Sequence, residues 1–166
     1  MGRGLIMSDN LHFSSETDQW ATPQAVFDWL DDQFGPHDLD AAADSTNNKC
    51  DDYISAEDDA LTVPWVGTRV WLNPPYGRGL ARWATKAIDE IDAGNCDSIT
   101  ILVPARTDTN WFIDLADRAH RIVFVKRRLR FGDGSRDAPF PTAILVIDND
   151  SLGKQIDFGI NVGDAL

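Results

Sequence analysis

The sequence predicts an α/β fold: a doubly wound sheet of mostly parallel strands with helices on both faces. Three observations carry that expectation. Ser98 to Val103 is a largely apolar run, the pattern of a strand covered on both sides. From Arg69 to Arg128, strand-like and helix-like segments alternate in the order strand, helix, strand, helix, strand. Finally, 166 residues suffice for one domain with a substantial core and are too few for two full ones.

Taken in order, residues 1–17 are polar and unpatterned and are expected to form a mobile arm ahead of a single domain spanning 18–148. Thr22-Pro23 has the chemistry of an N-cap followed by proline in the first helical turn, and Val26, Phe27, Leu30 and Phe34 then repeat on one helical face. Gly35-Pro36 stops that helix, and His37 to Ala42 follows as a short strand with Asp40 near its carboxyl end. From Ala43 to Thr68 the chain is polar with little period. Arg69 to Leu72 reads as a buried strand. Leu80, Trp83, Ala84, Ala87, Ile88 and Ile91 mark the clearest helix, closed by Gly94. Beyond the Ser98 strand, Phe112, Leu115, Ala116 and Ala119 give another helix, and Arg121 to Arg128 and Thr142 to Ile147 two further strands. Without a helix between them, these two are expected to form an antiparallel hairpin at one edge of the sheet. Residues 149–166 form a weakly patterned tail.

Charge and composition narrow the function classes. Met1 to Asn10 has no apolar signal core and no later stretch approaches a membrane span, so a cytoplasmic protein with no membrane partner is expected. Cys50 and Cys96 lack metal-site spacing and His12, His37 and His120 are scattered, so neither a disulfide framework nor a metal site is implied. The net charge of −12 comes from a surface rich in Asp and poor in Lys, the composition of halophilic proteins. In molar salt the Debye length falls to about 3 Å, and global charge then says little about partners. Local charge says more. Between Arg118 and Arg136 the chain holds Arg118, Arg121, Lys126, Arg127, Arg128, Arg130 and Arg136 against the single acid Asp133. That island is a candidate polyanion contact, with a solvated strand face balanced by neighbouring acids as the competing reading.

The chemistry is carried by Asn73-Pro74-Pro75-Tyr76, which follows the apolar run Val70-Trp71-Leu72. Two prolines stiffen the turn and leave carbonyls free of local N–H partners. The Asn73 side-chain oxygen and the Pro74 carbonyl can then accept both hydrogens of an amine, with the Tyr76 ring against the attached ring. This is a geometry for methylating an exocyclic amine. In a doubly wound sheet ligands bind beyond the strand carboxyl ends, where Asp40 and Asn73 both lie. Leu39-Asp40-Ala41-Ala42-Ala43-Asp44 has no glycine for a pyrophosphate. It suits a cofactor without phosphates, such as S-adenosylmethionine, whose ammonium group a carboxylate can hold; Asp40 as a helix N-cap is the plainer alternative.

Trp20-Ala21-Thr22-Pro23, Leu39-Asp40-Ala41-Ala42, Asp58-Asp59-Ala60-Leu61, Val70 to Gly77, Pro104-Ala105-Arg106-Thr107 with Trp111-Phe112, and Ala138-Pro139-Phe140-Pro141 together resemble the ordered blocks of the phage-type DNA adenine-N6 methyltransferases, over roughly Asp18 to Asp148. The resemblance implies the methyltransferase form of the Rossmann-like fold, S-adenosylmethionine as cofactor and DNA as substrate. It also implies that Trp20, Thr22 and Pro23 enclose the cofactor and that Asp40 and Ala41 touch its methionine end. Asp58 or Asp59 contacts its ribose or adenine, and Asn73, Pro74, Pro75 and Tyr76 hold the target adenine. The chain departs from many related methyltransferases in lacking Phe-x-Gly-x-Gly. Arg106, following a strand, is a candidate substrate contact, and Lys126, Arg127, Arg128 and Arg130 are candidate phosphate contacts beside a mobile Gly132-Asp133-Gly134 loop. Trp111 is read as more often core than platform, and Trp29, Trp71 and Trp83 as core. The same turn serves acceptors other than DNA adenine: cytosine N4, RNA adenine or protein glutamine. A DNA-binding viral protein that retains the fold without turnover is the remaining alternative.

Overall fold

The computed structural model describes residues 20–149 and 153–162. Ten elements follow one another: α1 (Gln24–Phe34), β1 (Leu39–Asp40), β2 (Asp52–Tyr53), β3 (Arg69–Leu72), α2 (Leu80–Asp92), β4 (Ser98–Pro104), α3 (Asn110–Arg118), β5 (Ala119–Val125), β6 (Thr142–Asp148) and β7 (Gln155–Ile160). The strands form one mixed sheet in the order β2-β1-β3-β4-β6-β5-β7. β6 is antiparallel to both its neighbours, while every other pairing is parallel. Six strands therefore point their carboxyl ends the same way.

The apolar runs account for the centre of this sheet. Ile99, Ile101, Leu102 and Val103 of β4 and Val70, Trp71 and Leu72 of β3 are all almost wholly buried. Each such side chain contributes roughly 1.5–3 kcal/mol by leaving water. α2 and α3 pack against each other and against β4, β5 and β6, burying Leu80, Ala84, Ala87 and Ile91 from one and Phe112 and Leu115 from the other. α1 covers the patch around Trp71: Phe27 meets the Trp71 ring edge-on at 5.4 Å. His37 secures this arrangement, with Nδ1 2.7 Å from Asp31 Oδ1 of α1 and Nε2 2.9 Å from Thr100 Oγ1 of β4.

Four expectations are corrected. The β5–β6 hairpin is antiparallel but does not form an edge, because β6 is inserted between β4 and β5 and β7 adds itself outside β5. β7 lies in the stretch read as a weakly patterned tail; Ile156, Phe158 and Ile160 alternate along it, and Phe124 of β5 stacks on Phe158 at 4.9 Å. β2 was missed because a two-residue strand carries no periodic signal. The polar stretch that contains it is nonetheless tightly held. Trp65 is fully buried with Nε1 donating to Ala60 O, and its backbone N–H donates to buried Glu90, which also pairs with Lys86 and accepts from Asn95. Thr22, lastly, does not cap α1. The N-cap position is Pro23, whose carbonyl accepts from Val26 and Phe27, and no side chain caps the helix. The expected arm, residues 1–17, lies outside the described residues.

Candidate active site

The strand directions bring the ends of β1, β3, β4 and β5 to one side of the sheet, so Asp40, Asn73, Arg106 and Lys126 all emerge there. On that side lies a cavity of about 380 Å³, within the range of about 300–1,000 Å³ typical of small-molecule sites. Asp40, Asp59, Asn73, Pro74, Pro75, Trp20 and Thr22 all line it. The register explains the meeting: Asp40 pairs with Trp71, two residues before Asn73, and Ala41 N–H donates to Trp71 O at 2.9 Å.

Asn73 is fixed at one end of its amide. Its Nδ2 donates to Trp20 O at 2.5 Å and to Thr22 Oγ1 at 2.9 Å, which uses both amide hydrogens. Its Oδ1 is buried without a hydrogen-bond partner. A buried acceptor left unmade costs free energy, and a hydrogen-bond donor that reached it would recover that cost.

Asp40 is 2% exposed, and burial pushes its carboxyl above the usual aspartate range. Opposing that shift, Oδ2 accepts from Lys49 N–H at 3.0 Å and Oδ1 from Ala42 N–H at 3.2 Å, with the Lys49 charge adding to their pull. Asp40 is thus no helix N-cap; it braces the loop after β1. Lys49 also lines the cavity, a residue that sequence reasoning missed. Burial lowers its pKa against the pull of Asp40 and Asp28, and Nζ donates to Gln24 Oε1.

The remaining candidates divide. Asp59 lines the cavity, whereas the Asp58 carboxylate accepts from Ser55 N–H and Oγ and does not line it. Ala41 is fully buried and Pro23 stands outside the lining, so neither faces the space where a cofactor was expected. Trp71 and Trp83, read as core, both contribute wall. Trp111 and Trp29 are partly buried packing residues, and Trp29 meets Phe34 edge-on. Tyr76 is not an open platform: it is 5% exposed, its hydroxyl donates to Leu102 O at 3.1 Å, and its ring packs edge-on against Phe140 and Phe131. Burial raises its phenol pKa well above normal. Phe131 and Phe140 also flank Trp20, and Gly132 N–H donates to Ala21 O at 2.9 Å. The segment after β5 is thereby fastened to the chain that anchors Asn73.

The basic island also divides. Arg118 is paired with Asp92, Arg121 with Asp157 and Arg130 with Asp137. Lys126, Arg127 and Arg128 are exposed and take part in no ion pair among the described residues. Arg106 is exposed in the turn after β4, where its carbonyl, rather than its guanidinium, accepts from Thr109. None of these cations lines the cavity. Among the described residues no group of three or more His, Cys, Asp or Glu is placed to hold a metal ion, and no helix is long and apolar enough to cross a membrane.

Comparison with known proteins identifies the family. The profile of the family described as DNA N-6-adenine-methyltransferase (Dam) matches residues 10–157. The DNA N-6-adenine-methyltransferase of Escherichia phage T1 is 34% identical over 151 residues, covering 90% of this chain and 61% of the phage protein. That of Haemophilus phage HP1 is 33% identical over 112 residues, covering 67% and 64% respectively. The chain spans rather under two thirds of the length of these relatives. Its mixed α/β sheet is consistent with a methyltransferase-like fold. The chain belongs to the DNA N-6-adenine-methyltransferase (Dam) family.

Proposed function

We propose that this member of the family transfers a methyl group from S-adenosylmethionine to the N6 amine of adenine in DNA, using a Rossmann-like site. The unpartnered Oδ1 of Asn73 carries the reading: it is a buried acceptor in a cavity wall, fixed in direction by the bonds at the other end of its amide.

The donor set of the cavity fits the cofactor. Asp40 is a buried carboxylate suited to an ammonium group, and its raised pKa is what a binding site for a cation gives before the cation arrives. Asp59 is the acid placed to accept from ribose hydroxyls; Asp58 is already engaged by Ser55. Ile54, Ala60, Trp71 and Trp83 supply apolar wall for a purine ring. When bound, S-adenosylmethionine supplies an electrophilic methyl group.

The chain's own residues act on the amine. The lone pair of an adenine N6 is delocalised into its ring and is a weak nucleophile. Asn73 Oδ1 accepts one N6 hydrogen and the Pro74 carbonyl the other, which draws the lone pair back onto nitrogen and fixes its direction. The base must leave its stack to reach them, at a cost of a few kcal/mol. Stacking on an aromatic ring, about 1–3 kcal/mol per base, offsets part of this, and Tyr76 provides that ring once Phe131 and Phe140 give way. Lys126, Arg127 and Arg128, with Arg106, hold the phosphates at the same end of the sheet. The Asp-rich surface suits the cytoplasm of a virus-infected halophilic host.

The test is incubation of the protein with labelled S-adenosylmethionine and unmethylated plasmid DNA in molar salt, followed by nucleoside analysis. N6-methyladenine is the expected product. N4-methylcytosine, or label in RNA or protein but not DNA, would replace the assigned acceptor, and absence of turnover would leave a DNA-binding protein.

A further inference from the structure

We propose that Thr22 is a positioning residue for the acceptor amide of Asn73, an inference that rests on the reading of Asn73 given above. An asparagine amide is nearly symmetric in shape, with an oxygen that accepts and a nitrogen that donates. If it turned over, it would present hydrogens to an amine that offers only hydrogens, and the grip would be lost. What faces the far end of the amide therefore decides whether the site works. Trp20 O is an acceptor and takes one Nδ2 hydrogen, and Thr22 Oγ1 takes the second at 2.9 Å. Both amide hydrogens are spent, and Oδ1 is left buried without a partner on a residue that lines the cavity.

The local sequence sharpens this. Thr22 stands just before the proline that opens α1, where a threonine ordinarily caps the helix. Here no side chain caps α1. The hydroxyl accepts instead from a residue 51 positions away, and the side chain is 5% exposed. A capping role would make the residue matter for stability; the observed bond makes it matter for the direction of Asn73.

Thr22→Val keeps the shape and removes the acceptor. With labelled S-adenosylmethionine and unmethylated plasmid DNA under single-turnover conditions, it should slow transfer about three- to tenfold, the scale of one lost hydrogen bond. Cofactor Kd by calorimetry should stay near wild type, the melting temperature should fall only by the few degrees that one lost buried hydrogen bond costs, and Thr22→Ser should restore the rate. A wild-type rate in Thr22→Val while Asn73→Ala is inactive would overturn the positioning role. So would a slow variant whose loss is matched by a weaker cofactor Kd, since that places Thr22 on the cofactor. Near-normal turnover in Asn73→Ala is a separate result that removes the reading of Asn73 itself.

Discussion

The two ends of the row of strand termini differ in sign and in readiness. Around β1, β2 and β3 the rim is acidic and open, with Asp40 and Asp59 on the wall of a formed cavity that Asn73 also lines, its Oδ1 buried and unbonded. Around β5 the rim carries Lys126, Arg127 and Arg128, while the ring of Tyr76 is packed against Phe131 and Phe140 with its hydroxyl satisfied. On the proposed reading the first side receives a small cationic ligand and the second a polyanion, with the ring assigned to the base still covered. A net charge of −12 averages over this division and hides it.

Substitutions on the two sides should separate accordingly. Asn73→Ala should have the largest effect, lowering single-turnover transfer by about a hundredfold or more with cofactor Kd little changed, because it removes an interaction needed at the reacting amine. Next comes protonation on the acidic side. Burial raises the Asp40 pKa, so the folded protein disfavours its ionised form; this group's contribution to stability falls as pH rises from the ordinary aspartate value through the folded one and is level above it. On the proposed reading, cofactor binding needs the ionised form. Calorimetric affinity should therefore weaken on acidification at a pH above the ordinary aspartate range, while a flat profile would detach Asp40 from the ammonium.

On the basic side, replacing Lys126, Arg127 and Arg128 together by alanine should weaken DNA binding. It should also reduce the slope of log K against log salt by about 0.9 for each phosphate contact removed. Neutralising Arg118 and Arg121, already paired with Asp92 and Asp157, should leave that slope alone. Tyr76→Phe should lower stability by about 1 kcal/mol through the bond lost to Leu102 O, read by denaturant melts, and leave transfer nearly intact if the ring is what the base uses. The smallest difference is between neighbours. Asp59→Ala should raise cofactor Kd a few-fold, more than Asp58→Ala, whose carboxylate serves Ser55.

What was legible in the sequence depended on length and locality. Arg69 to Leu72, Leu80 to Asp92 and Ser98 to Pro104 were readable because several residues repeat one pattern. The convergence of Asp40 and Asn73 followed from strand direction. Asp52–Tyr53 was too short to signal. Ile156, Phe158 and Ile160 do alternate, but a half-exposed strand beside Gly159 and polar residues leaves only a faint trace. The insertion of β6 between β4 and β5 is a long-range choice that no local pattern encodes. In the site, residue types were readable but their commitments were not. Nothing local says that Thr22 bonds Asn73 instead of its own helix, that Asp58 is spent on Ser55, or that Tyr76 is covered from residues 131 and 140. Lys49 stands in a polar stretch without pattern, and only folding brings it to the cavity.

β7 has a consequence for anyone shortening the gene. The sequence suggests a natural cut after Asp148, yet Gln155–Ile160 pairs in parallel with Arg121 to Val125 of β5, with Lys126 N–H donating to Ile160 O at the start of the basic turn. A product trimmed at that point would carry β5 as a bare, largely apolar margin, able to recruit strands from other copies. It would also release the backbone on which Lys126 to Arg128 are mounted. Expression designs should keep the chain through Ile160, and a trimmed version that clumps or loses DNA affinity would owe this to a missing hem rather than to a damaged catalytic centre.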